Sequence, residues 1–286
     1  MFEAFSRSWA ITKLSLDVIR KDKELIFFPI LAGFFSFLFI VAILFPSVIA
    51  VLIAGSKPAL SGIVVLSLFF VYFGLAFIAT FFSVCVVYTT KKRFEGGNAT
   101  FGESIGFAFK KVHLIFYWSL LSASVGLVLR FIENLAEKNR GIGALLLKVV
   151  YYLLGALWSV VTVFVIPAMV YHDLTPFAAI KKTVESLKKT WGESLIRYYG
   201  VGLVQFLFML LGIIVFVILF WASSVLGIFG IIPIIILAVI YFVGVVVFFS
   251  LINSIFNTAL YAYANKGKLP KEYRNDIMQK AFVSRK

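Results

Sequence analysis

Two histidines and one aspartate are the side chains in this sequence best suited to acid–base or metal chemistry. His113 stands at the start of an apolar run, and His172 and Asp173 directly follow another. Hydrolysis or metal catalysis needs several positioned carboxylates, histidines or an activated nucleophile. Because this set makes a poor metal site, we predict separate interfacial histidines, with a small polar cluster as the alternative. The sequence also lacks a glycine-rich phosphate loop, so we expect neither an enzyme nor a cofactor.

Uncharged polar side chains inside long apolar runs are a second candidate site. Asn253, Asn257 and Tyr261 recur every fourth residue, which places them on one face of a helix, and Gln205 lies in the preceding run. This polar seam has two interpretations. It joins helices by hydrogen bonds of about 1 kcal/mol or less each, or it lines a path for a polar headgroup.

Short blocks of basic residues stand beside the apolar runs. We expect them to bind anionic lipid headgroups at a membrane surface, or a partner membrane protein. Nucleic-acid binding is disfavoured because lipid headgroups already satisfy charges at that position. We call these residues the basic collar: Lys91, Lys92, Arg93, Lys110, Lys111, Lys181, Lys182, Lys188 and Lys189.

The composition places the elements that carry these residues in a membrane. Hydrophobic residues make up 62% of the chain and its mean hydropathy is +1.03, far above soluble domains, in which roughly half of the residues are apolar. The one cysteine, Cys85, excludes an internal disulfide. Six runs reach the roughly 20 residues that a spanning helix needs. They are Leu25 to Ala54, Ser61 to Thr89, Val112 to Phe131, Ile142 to Tyr171, Ser194 to Trp221 and Ile228 to Ala264.

The distribution of basic residues predicts the orientation of the chain. All of them lie before span one, between spans two and three, between four and five, or after six, except Lys57, Arg130, Lys138, Arg140 and Lys148. Cytoplasmic loops carry the excess of Lys and Arg. We therefore predict a multi-pass protein of the cytoplasmic membrane with both termini in the cytoplasm.

Each pair of spans is preceded by a segment with the pattern of an amphipathic helix. Thr100 and Glu103 have capping-box spacing, and Pro176 suits a first helical position. In residues 175–191 an apolar stripe comprises Phe177, Ile180, Val184, Leu187 and Trp191. We predict an all-α fold of three parallel repeats, at about 1–98, 99–173 and 174–265, within one membrane domain 1–265, followed by a basic cytoplasmic tail 266–286. Convergence of interfacial loops would give a similar pattern.

Three motifs resemble those of bacterial and archaeal six-span families related to the membrane domain of some glycerophosphoryl diester phosphodiesterases. They are "FEAFSRSWAITK" at the start, "KKRFEGG" after span two and the tail "ALYAYANKGKLPKEYRNDIMQKAF". In those enzymes the phosphodiesterase chemistry lies in a separate soluble domain. The resemblance therefore implies a membrane architecture and no activity.

These observations leave two main functional hypotheses. The first is a non-enzymatic scaffold or accessory protein that binds anionic lipids, or a membrane-protein partner or second copy, through the basic collar. The alternative is a passive transporter or channel for a lipid or small apolar solute, in which the polar seam lines the path. A membrane enzyme using His113, His172 and Asp173 is the third.

Overall fold

The computed structural model describes residues 2–54, 58–223, 227–267 and 270–271. All regular structure in these ranges is helical, which confirms the predicted fold class. A single 3-10 turn, Lys23–Ile26, separates the first two α-helices. The α-helices are α1 Phe2–Lys21, α2 Phe27–Ala54, α3 Pro58–Phe94, α4 Phe101–Lys110, α5 Val112–Lys138, α6 Ile142–Thr162, α7 Val165–His172, α8 Pro176–Ser223 and α9 Ile228–Lys266.

Six segments are long and apolar enough to cross a bilayer, as predicted. Their outward faces are rich in exposed Phe, Ile, Leu and Val, which is the surface that a hydrocarbon solvent requires. The six segments are Lys23–Pro46, Leu66–Phe94, Val112–Lys138, Ile142–His172, Gly202–Ser223 and Ile228–Lys266.

The fourth segment consists of two helices where the sequence predicted one. The α6 helix ends at Thr162 and α7 begins at Val165. Pro167 explains the break, because its ring has no N–H to donate and clashes with the carbonyl four residues earlier, at Val163. The amide of Ala168 resumes the helical pattern by donating to the Phe164 carbonyl at 2.8 Å.

The third amphipathic segment is continuous with span five in α8, rather than a separate helix. No proline interrupts residues 177–223, and Gly192, the one glycine between the amphipathic segment and span five, costs only about 1 kcal/mol in a helix. The buried face of the amphipathic part of α8 consists mainly of small and hydroxyl-bearing side chains. They are Ala179, Thr183 and Ser186, beside Leu187. Phe177, the first residue of the predicted stripe, is 74% exposed. The side chain of Trp191 lies outside the described residues.

The chain divides into two compact units. The first unit comprises Met1–Pro29, Thr90–Asn98 and Ser186–Lys286, and the second comprises Ile30–Thr89 and Ala99–Glu185. This division does not coincide with the predicted repeats, so threefold duplication stays a prediction. Most of the predicted tail, residues 268–269 and 272–286, lies outside the described residues.

In the first unit, α1 and the 3-10 turn pack against α9. The packed face of α1 includes Thr12, Ser15 and Val18, all nearly inaccessible. The α8–α9 hairpin is held by Tyr241, whose hydroxyl donates to the Phe208 carbonyl at 2.8 Å.

In the second unit, α5 and α6 form the most extensive helix pair. The rings of Trp118 and Trp158 stack across it with centroids 5.8 Å apart. The α4 helix is attached to the end of α3 by the ring of Phe107 on Tyr88, with centroids 4.2 Å apart, and by a 2.7 Å hydrogen bond between the Ser104 and Thr89 hydroxyls. These contacts fix α4 to the end of α3.

Candidate lipid-binding surface and polar network

Three residues of the basic collar are exposed: Lys110, Lys181 and Lys188. Lys110 ends α4, and Lys181 and Lys188 lie two turns apart on one exposed side of α8. Long basic side chains at such positions reach water while their methylene stems lie on apolar surface. These three ammonium groups are therefore the collar charges most accessible to a headgroup.

Arg93 is held in a buried ion pair, whereas the sequence placed it among the binding residues. Its Nε and one terminal nitrogen donate to the two carboxylate oxygens of Asp22, and a terminal nitrogen also donates to Asn98 Oδ1 at 2.9 Å. The Asp22 side chain is only 4% exposed. Two parallel charge-assisted hydrogen bonds fix the geometry of such a pair. This arrangement gives Arg93 a structural role in the first unit.

The other collar residues occupy partly covered positions. Lys111 Nζ lies 2.6 Å from Asp173 Oδ2, and Lys182 Nζ lies 3.9 Å from Glu185 Oε2. Lys91 and Lys92 are partly buried in the last turn of α3. The side chain of Lys189 lies outside the described residues.

The turn after α3 is fixed by glycine and by an ion pair. Gly96 has φ +85°, a conformation that favours glycine. Beside it, the Gly97 amide donates to the Lys92 carbonyl at 2.9 Å. Glu95 Oε1 lies 3.6 Å from Lys266 Nζ at the end of α9. The "EGGN" turn, residues 95–98, is therefore where α3 and α9 meet within the first unit.

The predicted capping box at the start of α4 is confirmed. The Glu103 amide donates to Thr100 Oγ1 at 3.3 Å, and the Thr100 amide donates to Glu103 Oε2 at 2.8 Å. Two N–H groups at the start of the helix are thereby satisfied. This cap fixes the helix that bears Lys110.

Among the described residues, the histidines and Asp173 do not form a group that could hold a metal ion. His113 and His172 are exposed, and the Asp173 carboxylate is paired with Lys111. Asp173 has φ 53° and ends α7 by donating its amide to the Met169 carbonyl at 3.0 Å. Its contacts are those of a helix end joined to the start of α5.

The polar seam lies within the first unit. Asn253, Asn257 and Tyr261 share one face of α9, and Tyr261 is fully buried. Phe208 on α8 faces Phe249 on α9 with ring centroids 5.7 Å apart, so Gln205, one turn before Phe208, lies near the level of Asn253. Asn257 and Tyr261 lie one and two turns further along α9.

Three buried oxygens of the first unit lack a hydrogen-bond partner among the described residues: Glu24 Oε2, Thr90 Oγ1 and Asn257 Oδ1. Such atoms normally find a partner, because an unsatisfied buried polar group costs about 1–3 kcal/mol. Sequence reasoning missed the first two. Thr90 lies one helical turn before Arg93, and Glu24 lies two residues after Asp22, so both flank the ion pair along the chain.

Comparison with curated proteins gives no match. The resemblance to the membrane domain of glycerophosphoryl diester phosphodiesterases stays a prediction. A family model described as a family of unknown function, DUF6159, matches residues 60–270, which cover all but the first of the six apolar segments. Because this match includes well over half of the chain, the protein belongs to the DUF6159 family.

Proposed function

We propose that this protein is a non-enzymatic membrane protein that binds anionic phospholipid headgroups at its cytoplasmic surface, in a scaffold or accessory role. The exposure of Lys110, Lys181 and Lys188 is the observation that supports the proposal, because several other collar cations face carboxylates of the same chain. The proposal includes the predicted orientation, with both termini in the cytoplasm.

The magnitude of the effect follows from membrane electrostatics. A Lys near an anionic leaflet contributes about 1 kcal/mol, and the attraction falls off within about 8 Å at physiological ionic strength. Each of these residues therefore favours an anionic over a zwitterionic headgroup by about 1 kcal/mol. The preference for phosphatidylglycerol over phosphatidylcholine is then about fivefold for each lysine and weakens as salt increases.

Competition between lipids in native mass spectrometry tests this proposal. The delipidated protein is titrated with equal amounts of phosphatidylglycerol and phosphatidylcholine. We expect the triple variant K110Q/K181Q/K188Q to lose most of the preference for phosphatidylglycerol. The matched control is K138Q/R140Q/K148Q, which removes the same charge from exposed residues predicted to face the other side of the membrane.

Equal loss of preference in both triple variants would contradict the proposal, because it would show a response to net charge alone. Retention of a stoichiometric protein or a second copy, lost only in the first variant, would show instead that the collar binds a partner.

A second candidate function is a passive path for a lipid or small apolar solute. It is supported by Asn257, whose buried Oδ1 has no hydrogen-bond partner among the described residues, although helix joining requires one. In proteoliposomes, N257L should reduce lipid scrambling or solute flux severalfold if the seam is a path. Undiminished flux in a folded N257L protein would remove this candidate.

A further inference from the structure

An apolar groove of about 730 Å³ lies in the second unit between α2, α3 and α4. No polar side chain lines it, and seven of its twelve lining residues are phenylalanines. Its volume is in the range of sites that hold small organic ligands, about 300–1,000 Å³. A groove with this lining excludes headgroups and favours a hydrocarbon chain.

The length of the groove matches one leaflet of a bilayer. Along α2 the lining extends from Leu31 to Ala42, or about 16 Å at 1.5 Å per residue. Half of a hydrocarbon core of about 30 Å is about 15 Å. The groove is therefore long enough for one acyl chain that enters from one side of the membrane.

The lining residues divide the groove into a wall and an interfacial end. Phe35 stacks on Phe82 with ring centroids 6.0 Å apart, which joins α2 to α3. Phe101, Ile105 and Phe109 lie one turn apart on α4 and close the end nearest the loop between spans two and three. The capping box and the Thr89–Ser104 hydrogen bond hold this end in place.

The mouth of the groove faces hydrocarbon. Leu38, one of its lining residues, is 45% exposed, and the neighbouring Phe37 and Val41 on α2 are also exposed. All three lie in the membrane-spanning segment Lys23–Pro46. A molecule that enters from this side must come from the lipid phase.

The charge beside the groove indicates the headgroup. Lys110 directly follows the lining residue Phe109, and it is exposed at the end of α4. A phosphate attached to a chain in the groove would find this ammonium at the interface, where a lysine attracts anionic headgroups. A smaller groove among the described residues, of about 410 Å³ between α5 and α6, also has a basic neighbour, because Arg130 follows its lining residue Leu129, but that guanidinium is paired with Glu133 at 2.5 Å.

We propose that the groove between α2, α3 and α4 binds one acyl chain of an anionic phospholipid whose headgroup lies beside Lys110. The chain site is argued from the groove itself, and the choice of an anionic headgroup rests on the proposed function. One lipid would then be bound at a defined position beside Lys110, in addition to the general attraction of anionic lipids to the basic collar.

Photolabelling in proteoliposomes tests the groove. The probe is phosphatidylglycerol with a diazirine near the end of one acyl chain. Labelled peptides should concentrate around residues 38–42 and 77–78, the part of the lining away from Lys110, and excess unlabelled phosphatidylglycerol should compete. A42F, which fills the groove from α2, should reduce this labelling at least fivefold. I105W fills it from α4 and should have the same effect.

A156F is the matched control. Ala156 is an exposed residue of α6 that does not line the groove, so the same substitution there should leave labelling unchanged. Labelling of all spans in proportion to their exposure would overturn the proposal. Unchanged labelling in folded A42F and I105W would do so as well.

A second probe with a different headgroup distinguishes the acyl-chain site from anionic-headgroup binding. A phosphatidylcholine probe with the same chain should label the groove several-fold less, and K110Q should remove that difference. Saturable labelling of the groove by both lipids to the same extent would sustain the acyl-chain site and count against anionic-headgroup binding. Selective phosphatidylglycerol binding to a protein whose groove is not labelled would sustain the headgroup function and overturn the groove.

Discussion

Asp22 and Arg93, which are 71 residues apart, form a bidentate ion pair that joins the segment before span one to the end of span two. The arginine reaches this position from the last turn of α3, and the aspartate immediately precedes the 3-10 turn that packs on α9. One pair thus fixes three elements of the first unit. Arg93, which the sequence predicted to bind lipid headgroups, therefore has a structural role.

Removal of one member of this pair should destabilise the protein strongly. D22L leaves a partly buried guanidinium uncompensated, so we expect the free energy of unfolding to fall by about 3 kcal/mol. R93L should act similarly, and D22L/R93L should recover at least half of the loss, since no charge is left buried. Denaturation in mixed detergent micelles measures the free energy of unfolding of all three variants.

The exposed pair Lys182–Glu185 provides the control for that series. Its nitrogen and oxygen are 3.9 Å apart, and exposed pairs contribute about 0–1 kcal/mol. E185Q should therefore change the free energy of unfolding by less than about 0.5 kcal/mol. Additive losses in D22L and R93L would contradict the proposed coupling.

Loss of the capping box should loosen α4. T100A removes the acceptor for the Glu103 amide, and losses of this kind cost about 1 kcal/mol. Hydrogen exchange of residues 101–104 should accelerate roughly fivefold. E103Q should behave like the native protein, because glutamine can complete the same box. Identical exchange in T100A and E103Q would show that contacts with α3, rather than the cap, hold this helix.

The sequence predicted those helices whose limits are set by residues close together along the chain. Runs of apolar residues defined the six spans, and the Thr100–Glu103 spacing defined the start of α4. The break in span four also had a visible signal, because Pro167 forbids a hydrogen bond to Val163. The continuity of α8 was not predicted, although the sequence contains no proline and only one glycine between its amphipathic and apolar parts.

Contacts between distant segments could not be predicted in this way. Nothing near Arg93 in the sequence indicates Asp22 as its partner, and nothing near Lys111 indicates Asp173. Both cations therefore resembled free collar residues. The groove was missed for a similar reason: phenylalanines from three helices form it only after packing, and in the sequence they have the same pattern as any lipid-facing residue.

Close packing at Gly212 should be essential to the α8–α9 hairpin. A Cβ at this position would lie 2.2 Å from Cε1 of the Tyr241 ring, a distance that forces the ring to move. We expect G212V to weaken the hairpin by at least 1–3 kcal/mol through overpacking. Y241F, which loses only the 2.8 Å bond to the Phe208 carbonyl, should cost about 0.6 kcal/mol.

The same denaturation measurement distinguishes these two effects. The double variant G212V/Y241A should recover stability relative to G212V, because the ring that clashes is gone. If Y241A lowers the stability of the G212V protein further, the predicted steric conflict is absent.

Straightening of the fourth span is the expected result of P167A. The new amide can donate to the Val163 carbonyl, so α6 and α7 should join into one helix from Ile142 to His172. Hydrogen exchange in a peptide covering residues 160–168 should slow about tenfold. P176A is the control, because a proline at the first position of α8 removes no helical hydrogen bond, and exchange near it should not slow. If residues 160–168 exchange as in the native protein, the break is set instead by the packing of Phe164, which is 2% exposed.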